Sequence, residues 1–194
     1  MTEDELIQRC REGERQAQRA LFEHTSGAVY RLLLRLCGNP DDAFDLTQET
    51  YIKAFAAFPG FDGRSSLKTW LFRIGVNEAL QLHRRSRVFK RKLERLASET
   101  TQKWEPIGPL ACRIDVKEAL NGLDPSDRAI LLLRYHEGLD YRSIAETAGI
   151  AEGTVASRLN RARQRLRVLL NGGYGREDEA SHVHLIKRQE HELA

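Results

Sequence analysis

Five arginines crowd into ten residues toward the C-terminal end of the chain: Arg158, Arg161, Arg163, Arg165 and Arg167. Guanidinium groups at this density, beside Ser157 and Asn160, suit a duplex groove, where Arg pairs with guanine edges and neutralises phosphates. Between them run Val155, Leu159, Ala162, Leu166 and Leu169, spaced by four, three, four and three residues. That stripe commits one face of a helix to packing and leaves the polar face open. Upstream, a shorter helix from Tyr141 puts Ile144, Ala145 and Ala148 on one side, and Gly149 can take the left-handed conformation that ends a helix. Residues 138–170 thus have the pattern of a helix-turn-helix whose second helix faces a major groove. The plainer alternative is a solvated basic helix, but turn, packing stripe and polar face all agree on the first reading.

Two other patches carry possible chemistry. In the segment 42–55, Asp42, Asp45 and Glu49 fall three and four apart and share one helix face. Paired carboxylates can hold a metal or do acid–base work, yet no His or Cys ligand and no nucleophile accompanies these. An acidic docking face for a basic partner is the more economical reading. The third patch spans 61–95. A loop with Phe61, Arg64, Ser65 and Lys68 precedes a helix bearing Arg73 and Asn77, which ends in Arg84, Arg85, Arg87, Lys90, Arg91 and Lys92. Cations beside aromatic and amide groups are what unpaired DNA requires, because bases want stacking and phosphates want charge. The alternative makes Trp70 and Phe72 core and the arginines a solvated helix end; for Trp70 the core position is the expectation.

The elements that must position these patches read as helices throughout. Segments 3–11, 15–36, 41–58, 67–95, 114–123 and 126–136 precede the helix-turn-helix. They are punctuated by Gly13, Gly38-Asn39-Pro40, Pro59-Gly60 and Asp124-Pro125. Ser65 or Ser66 is a fair N-cap for the fourth, and Asp124 with Pro125 forms a cap and first turn for the sixth. The expected fold is all-α, with two small helical domains joined by a flexible linker and a helix-turn-helix in the second. The domains cover 1–95 and 113–171, the linker 96–112, and a polar tail 172–194.

Composition agrees. Charged residues make up 30% and aromatics 7%, a balance that favours helical bundles over a β-sandwich. The net charge of +3 says little, but its distribution, acids near 41–49 and bases in 84–95 and 158–167, points to partners of different sign. Cys10, Cys37 and Cys112 are odd in number without metal-like spacing, which indicates buried free thiols in a reducing cytosol. The acidic start lacks the apolar core of a secretory signal, and the runs 32–34 and 130–133 are too short to span a bilayer. A soluble cytoplasmic protein without membrane insertion, metal or cofactor is expected. His182, His184 and His191 in the tail could together sense a metal, but a polar tail that binds nothing is the simpler reading.

Together and in this order, the three patches resemble the extracytoplasmic-function sigma factors of bacterial RNA polymerase. DAFDLTQETYIKAF is similar to their core-binding helix. FDGRSSLKTWLFRIGVNEALQLHRR resembles the segment that engages the opened minus-ten element. The sequence from Leu123 to Leu166 resembles the domain that reads the minus-thirty-five element. The resemblance implies that Asp45, Gln48, Glu49 and Lys53 meet the clamp helices of the largest subunit of core polymerase. It implies Phe61, Ser65, Lys68 and Asn77 near minus-ten bases. Upstream, it puts Ser157, Asn160 and Arg161 at base edges, with Arg128, Thr154 and Arg163 on phosphates. It also implies an anti-sigma factor that occludes both domains. The chain departs from the family at three positions. Ala156 stands where Lys or Arg is frequent, and Ala151 where Ser commonly caps the recognition helix. Phe44 replaces a usually polar docking residue. A promoter-specificity subunit, not an enzyme, is therefore expected. A stand-alone helix-turn-helix regulator would call for a sensor or dimerisation half, which the first 95 residues do not resemble. A recombinase would need a nucleophile or metal cluster that the sequence does not offer.

Overall fold

Small polar residues begin most of the helices, because the first backbone N–H groups of a helix have no partner within it. Thr2 and Glu5 form a reciprocal capping box at the start of α1 (Glu3–Arg11). Glu14 precedes α2 (Arg15–Cys37), and Asn39 accepts from the Asp41 N–H to open α3 (Pro40–Ala57). Ser66 is the cap of α4 (Leu67–Ala97), its hydroxyl accepting from the Thr69 N–H at 3.1 Å. After α5 (Val116–Asn121), Asp124 and Pro125 open α6 (Pro125–Leu131) as expected. Asp140 caps α7 (Tyr141–Ala148), and the Ser143 N–H it accepts holds its carboxyl below the ordinary carboxylate range. The last helix is α8 (Glu152–Gly173).

A computed structural model describes residues 2–97 and 116–173, and among these there is no strand. Most of the expected linker and tail, with Cys112 and the tail histidines, lies outside the described residues. Leu96 and Ala97 still belong to α4, and Gly172 and Gly173 to α8. One element differs in kind from its expectation. The continuous helix expected to His136 instead passes at Leu132 into a wider turn, where the Glu137 N–H reaches the Leu132 carbonyl, five residues back, at 3.0 Å. This turn aims the chain toward α7.

In the first half α2, α3 and α4 pack against one another, and α1 lies on α2 and on the tight turn Phe58–Gly60. Leu21, Val29, Leu32, Leu33, Phe58, Leu71, Phe72 and Val76 are buried there. Polar residues within this core satisfy themselves locally. Thr47 and Thr50 donate to carbonyls four residues back, and Thr25 shares a 2.6 Å hydrogen bond with the Tyr51 hydroxyl. In the second half α6, α7 and α8 surround Ile130, Leu133, Ile144, Val155, Leu159 and Ala162, with α5 against α6 and α8. The halves touch where α7 and α6 meet α4 and where α6 meets α2, so a single apolar cluster runs through both. Cys10 is buried and Cys37 half-buried, both as free thiols; burial pushes the Cys37 thiol up to about 11. No described helix is long and apolar enough to cross a membrane.

Gly149 closes α7 at φ 64°, and its N–H bonds back to the Ala145 carbonyl, which fixes the angle at which α8 departs. A Cβ there would meet nothing within 4 Å, so the demand is conformational rather than steric. Gly149→Ala should therefore destabilise the protein by about 1 kcal/mol, the usual cost of a left-handed alanine. Urea denaturation of the full chain measures it, and an unchanged midpoint would show that the turn tolerates a different geometry.

Candidate nucleic-acid interface

Helix α8 is fixed from behind. Val155, Leu159 and Ala162 are buried against α6 and α7, which turns Ser157, Asn160, Arg161 and Arg163 outward, all exposed. Thr154 is half-buried, and its carbonyl accepts from the Ser157 hydroxyl at 2.9 Å. At the N-terminus Ala151 supplies no side-chain acceptor; its carbonyl takes the Thr154 N–H at 2.9 Å. Arg163 is held on two sides, by the Tyr135 hydroxyl at 3.2 Å and by the Asn160 side-chain oxygen. Arg165 is drawn away from the open face into an ion pair with Asp127 of α6. Arg161 has no hydrogen bond or ion pair to a described residue and projects freely. Tyr135, on the wide turn, did not stand out in the sequence. Its part appears only when that turn is brought over α8.

The structure does not put Arg128 with this group. Arg128 is 4% exposed, and its guanidinium donates to the carbonyls of Leu36 (2.7 Å), Asn121 (2.7 Å) and Leu123 (3.4 Å) and to the Asn121 side chain (3.0 Å). Burial pushes its pKa down, although the group remains a cation. As arranged here it cannot reach a phosphate, and the expectation of a phosphate contact is corrected for this conformation.

The patch expected at the minus-ten bases divides in the same way. Asn77 is exposed on α4, Ser65 is half-buried, and Lys68 is about half exposed. Phe61 is instead core, at 4% exposure, between Phe58 (ring centroids 5.8 Å apart) and Trp70 (4.9 Å). Its carbonyl is gripped by the Arg11 guanidinium. A ring enclosed by two aromatics has no free face for a base, so the exposed part of this loop is Asp62, Gly63, Arg64 and Ser66. Trp70 is partly buried against the core, as expected. Lys68 pairs with Glu137 of the second half at 3.0 Å.

On α3, Asp45 and Gln48 are exposed and Glu49 is half-buried, one contiguous face. Phe44 (57% exposed) and Ile52 (63%) flank it, so the face is acidic with apolar shoulders. Ile52 was missed in the sequence, although it stands outside the α3 positions that are buried, Leu46, Thr50 and Ala54. Lys53 pairs with Glu49 at 3.3 Å and with Glu78 of α4; the hydrogen bonds its ammonium donates, to Glu78 first and then to Glu49, raise its pKa. Among the described residues there is no cluster of metal-ligating side chains.

An all-helical chain with a helix-turn-helix presenting a basic face is a DNA-binding protein by class. The comparisons make this specific. Residues 21–88 match the family described as Sigma-70 region 2, and residues 113–166 match Sigma-70, region 4. The ECF RNA polymerase sigma factor SigM of Bacillus subtilis is 32% identical over 169 residues, 81% of this chain and 97% of that protein. The ECF RNA polymerase sigma factor SigE of Mycolicibacterium smegmatis is 38% identical over 152 residues, which is 76% of this chain and 59% of that longer relative. Among solved structures, the sigma factor RpoE from Bartonella quintana, in complex with the anti-sigma factor NepR, superposes with a TM-score of 0.59. It is 31% identical, with 79% of this chain and 96% of that one covered. CnrH, in complex with the cytosolic domain of CnrY, gives a TM-score of 0.62 at 26% identity, covering 86% and 96%. The chain belongs to the extracytoplasmic-function RNA polymerase sigma factors and carries their regions 2 and 4.

The position of Phe61 gives a direct test. Phe61→Ala should cost about 3 kcal/mol, in the range of a core aromatic truncation. Thermal unfolding reads this, and a loss near zero would return Phe61 to the surface.

Proposed function

We propose that this protein binds core RNA polymerase, directs it to a two-part promoter and stabilises the opened minus-ten strand. Sigma factors initiate transcription and are not enzymes in themselves; polymerisation chemistry belongs to the core. Residues 1–95 would form the polymerase- and minus-ten-binding half and residues 113–171 the minus-thirty-five-binding half. The observation that carries this reading is the pairing of two unlike faces in one chain: the acidic face of α3 with its apolar shoulders, and the basic face of α8. A promoter needs the second, and a regulator acting alone has no use for the first.

On this reading Asp45, Gln48, Glu49 and Lys53 dock on the clamp helices. The apolar shoulders supply buried area and the acids set orientation. Arg161 reads a base edge together with Ser157 and Asn160, while Arg163 and Thr154 serve the phosphate backbone. Ser65, Lys68 and Asn77 face the minus-ten strand. Phe61 shapes the loop from beneath rather than stacking on a base. An anti-sigma factor is the expected regulatory partner, and a cytoplasmic location follows from the polymerase.

The experiment is reconstitution: purified protein and core enzyme should co-elute and give run-off transcription from promoters selected by sequencing of bound DNA. Asp45→Lys with Glu49→Lys should abolish co-elution while circular dichroism stays helical; retained co-elution would remove α3 from the interface.

The α8 assignments are tested on a randomised upstream element with holoenzyme. Arg161→Ala should cost about 1–3 kcal/mol and relax one position. Arg163→Ala should weaken all sequences alike and flatten the salt dependence. Equal, sequence-independent losses in both would mean that Arg161 contacts only phosphate.

A further inference from the structure

The loop proposed to meet the opened strand is held from below by a residue to which the functional reading gives no task. Residues 61–66 join the tight turn Phe58–Gly60 to α4, and most of their hydrogen bonds are local. The Arg64 N–H donates to the Asp62 carboxylate at 3.1 Å, the Arg64 guanidinium pairs with the same carboxylate at 3.0 Å, and the Ser66 hydroxyl caps α4. Gly63 takes φ 74°, with nothing within 4 Å of a Cβ placed there. Among the described residues, the hydrogen bonds that tie this loop to a distant part of the chain are the two from Arg11. Its Nε (3.1 Å) and Nη2 both donate to the Phe61 carbonyl, 50 residues on in sequence.

We propose that Arg11 is a positioning residue for the minus-ten loop, so that α1 takes part in opening the promoter without touching DNA. The proposal rests on the functional reading above for the role of the loop. Helix α1 is suited to be a fixed point. The Thr2–Glu5 capping box closes its first turn, and Leu6, Ile7 and the buried Cys10 pack it on the core. Its neighbouring cation Arg9 pairs with Glu14 at 3.9 Å, whereas Arg11, the last residue of the helix, is half-buried and forms no ion pair with a described residue. A forked cation on one carbonyl is stronger and more directional than a neutral hydrogen bond. Holding that carbonyl fixes the peptide between Phe61 and Asp62, from which the exposed residues Asp62, Gly63, Arg64 and Ser66 depart. The Phe61 ring, enclosed by Phe58 and Trp70, fixes the other side of the same residue. A loop ordered only as a base leaves the duplex adds its own ordering entropy to the cost of unpairing, and a loop already ordered does not. Loss of Arg11 therefore slows opening and spares the binding step before it.

The test uses the full chain, with Arg11→Met, Arg11→Gln and Arg11→Lys beside Arg9→Gln, a loss of charge on the same helix. Two measurements separate the loop from the promoter. Limited trypsin cleavage after Arg64 in the free protein reads how firmly the loop is held. Lag analysis of abortive transcription by holoenzyme gives closed-complex affinity and opening rate separately. Output is also measured from a template with a pre-opened minus-ten bubble.

Arg11→Met should speed cleavage after Arg64 about fivefold and slow opening about tenfold. Closed-complex affinity should stay at the wild-type level, and the bubble template should restore most of the output. Arg11→Gln, which keeps a donor but no charge, should fall between Arg11→Met and wild type in both measurements, and Arg9→Gln should match wild type. Should Arg11→Met lose helicity, Arg11→Gln and Arg11→Lys carry the test, because cleavage and opening must then change together in each. Unchanged cleavage and opening in the Arg11 variants would overturn the proposal. So would fast cleavage in Arg11→Lys beside wild-type opening, which would make Arg11 a phosphate contact. A closed-complex affinity that falls as far as the opening rate, with no relief from the bubble, would reduce Arg11 to a general support of the fold. Failure of the functional reading would appear separately, as faster cleavage in Arg11→Met beside a wild-type holoenzyme that opens no promoter.

Discussion

The guanidinium of Arg128 is the joint around which the two halves are arranged. A helix C-terminus presents carbonyls that no intrahelical N–H can reach, together with the negative end of the helix dipole. Arg128 answers two of these ends at once, accepting neither and donating to both: the Leu36 carbonyl at the end of α2 and the Asn121 carbonyl at the end of α5. Its charge is out of water, and such a group is tolerated only where its protons find acceptors. Four contacts provide them, while Nε goes without. Removing Arg128 would leave two helix ends uncapped within the seam, so its structural role is distinct from any role on DNA. The Lys68–Glu137 pair is the weaker partner in this arrangement, since Lys68 is half in solvent and the pair is screened accordingly.

What the sequence made legible was local. Amphipathic stripes located the helices, and Asp124-Pro125, Ser66 and Gly149 marked boundaries that the structure keeps. The polar face of α8 could be read because the apolar spacing on its other side leaves only one orientation. The two residues that landed elsewhere, Arg128 and Phe61, fail for one physical reason. Each is decided by partners brought together in the fold rather than by neighbours in the chain. Within 126–133 an arginine beside aspartate reads as a surface residue, and nothing there signals a carbonyl 92 positions away. Phe61 follows Pro-Gly and precedes Asp-Gly-Arg-Ser, a loop composition that implies exposure. Only the return of α4 sets Trp70 against it, while Phe58 closes the other side. Likewise Glu78 becomes a partner of Lys53 only through the packing of α4 on α3.

That last pair has a consequence for how the proposed surfaces are held. Lys53 bridges Glu49 on its own helix and Glu78 on α4, so the docking helix and the helix bearing Asn77 are fixed to each other by charge as well as by apolar packing. Phe44 and Ile52 are exposed on α3, and full coverage of such side chains stabilises by about 1.5–3 kcal/mol each. On the proposed reading, apolar burial gives the docking its strength, while Asp45 and Glu49 restrict it to basic surroundings. A rigid α3–α4 unit would then carry the orientation of the docked face directly to the minus-ten loop.

The α8 face is preorganised to a similar degree, and its hydrogen bonds narrow what it can read. Ser157 donates its proton to the Thr154 carbonyl, which leaves its oxygen as an acceptor. Asn160 offers its side-chain oxygen to Arg163, which leaves its amide N–H groups pointing outward as donors. Arg161 adds an unengaged donor fork beside them. The face is therefore rich in donors with a single acceptor at the N-terminal edge. In a major groove the pair richest in acceptors along one edge is guanine, with N7 and O6, whereas the exocyclic amino groups of adenine and cytosine call for acceptors. On the proposed reading, purine-rich sequence with guanine opposite Arg161 satisfies this pattern. Ser157 is then left to accept from an amino group one helical turn closer to the N-terminus of α8.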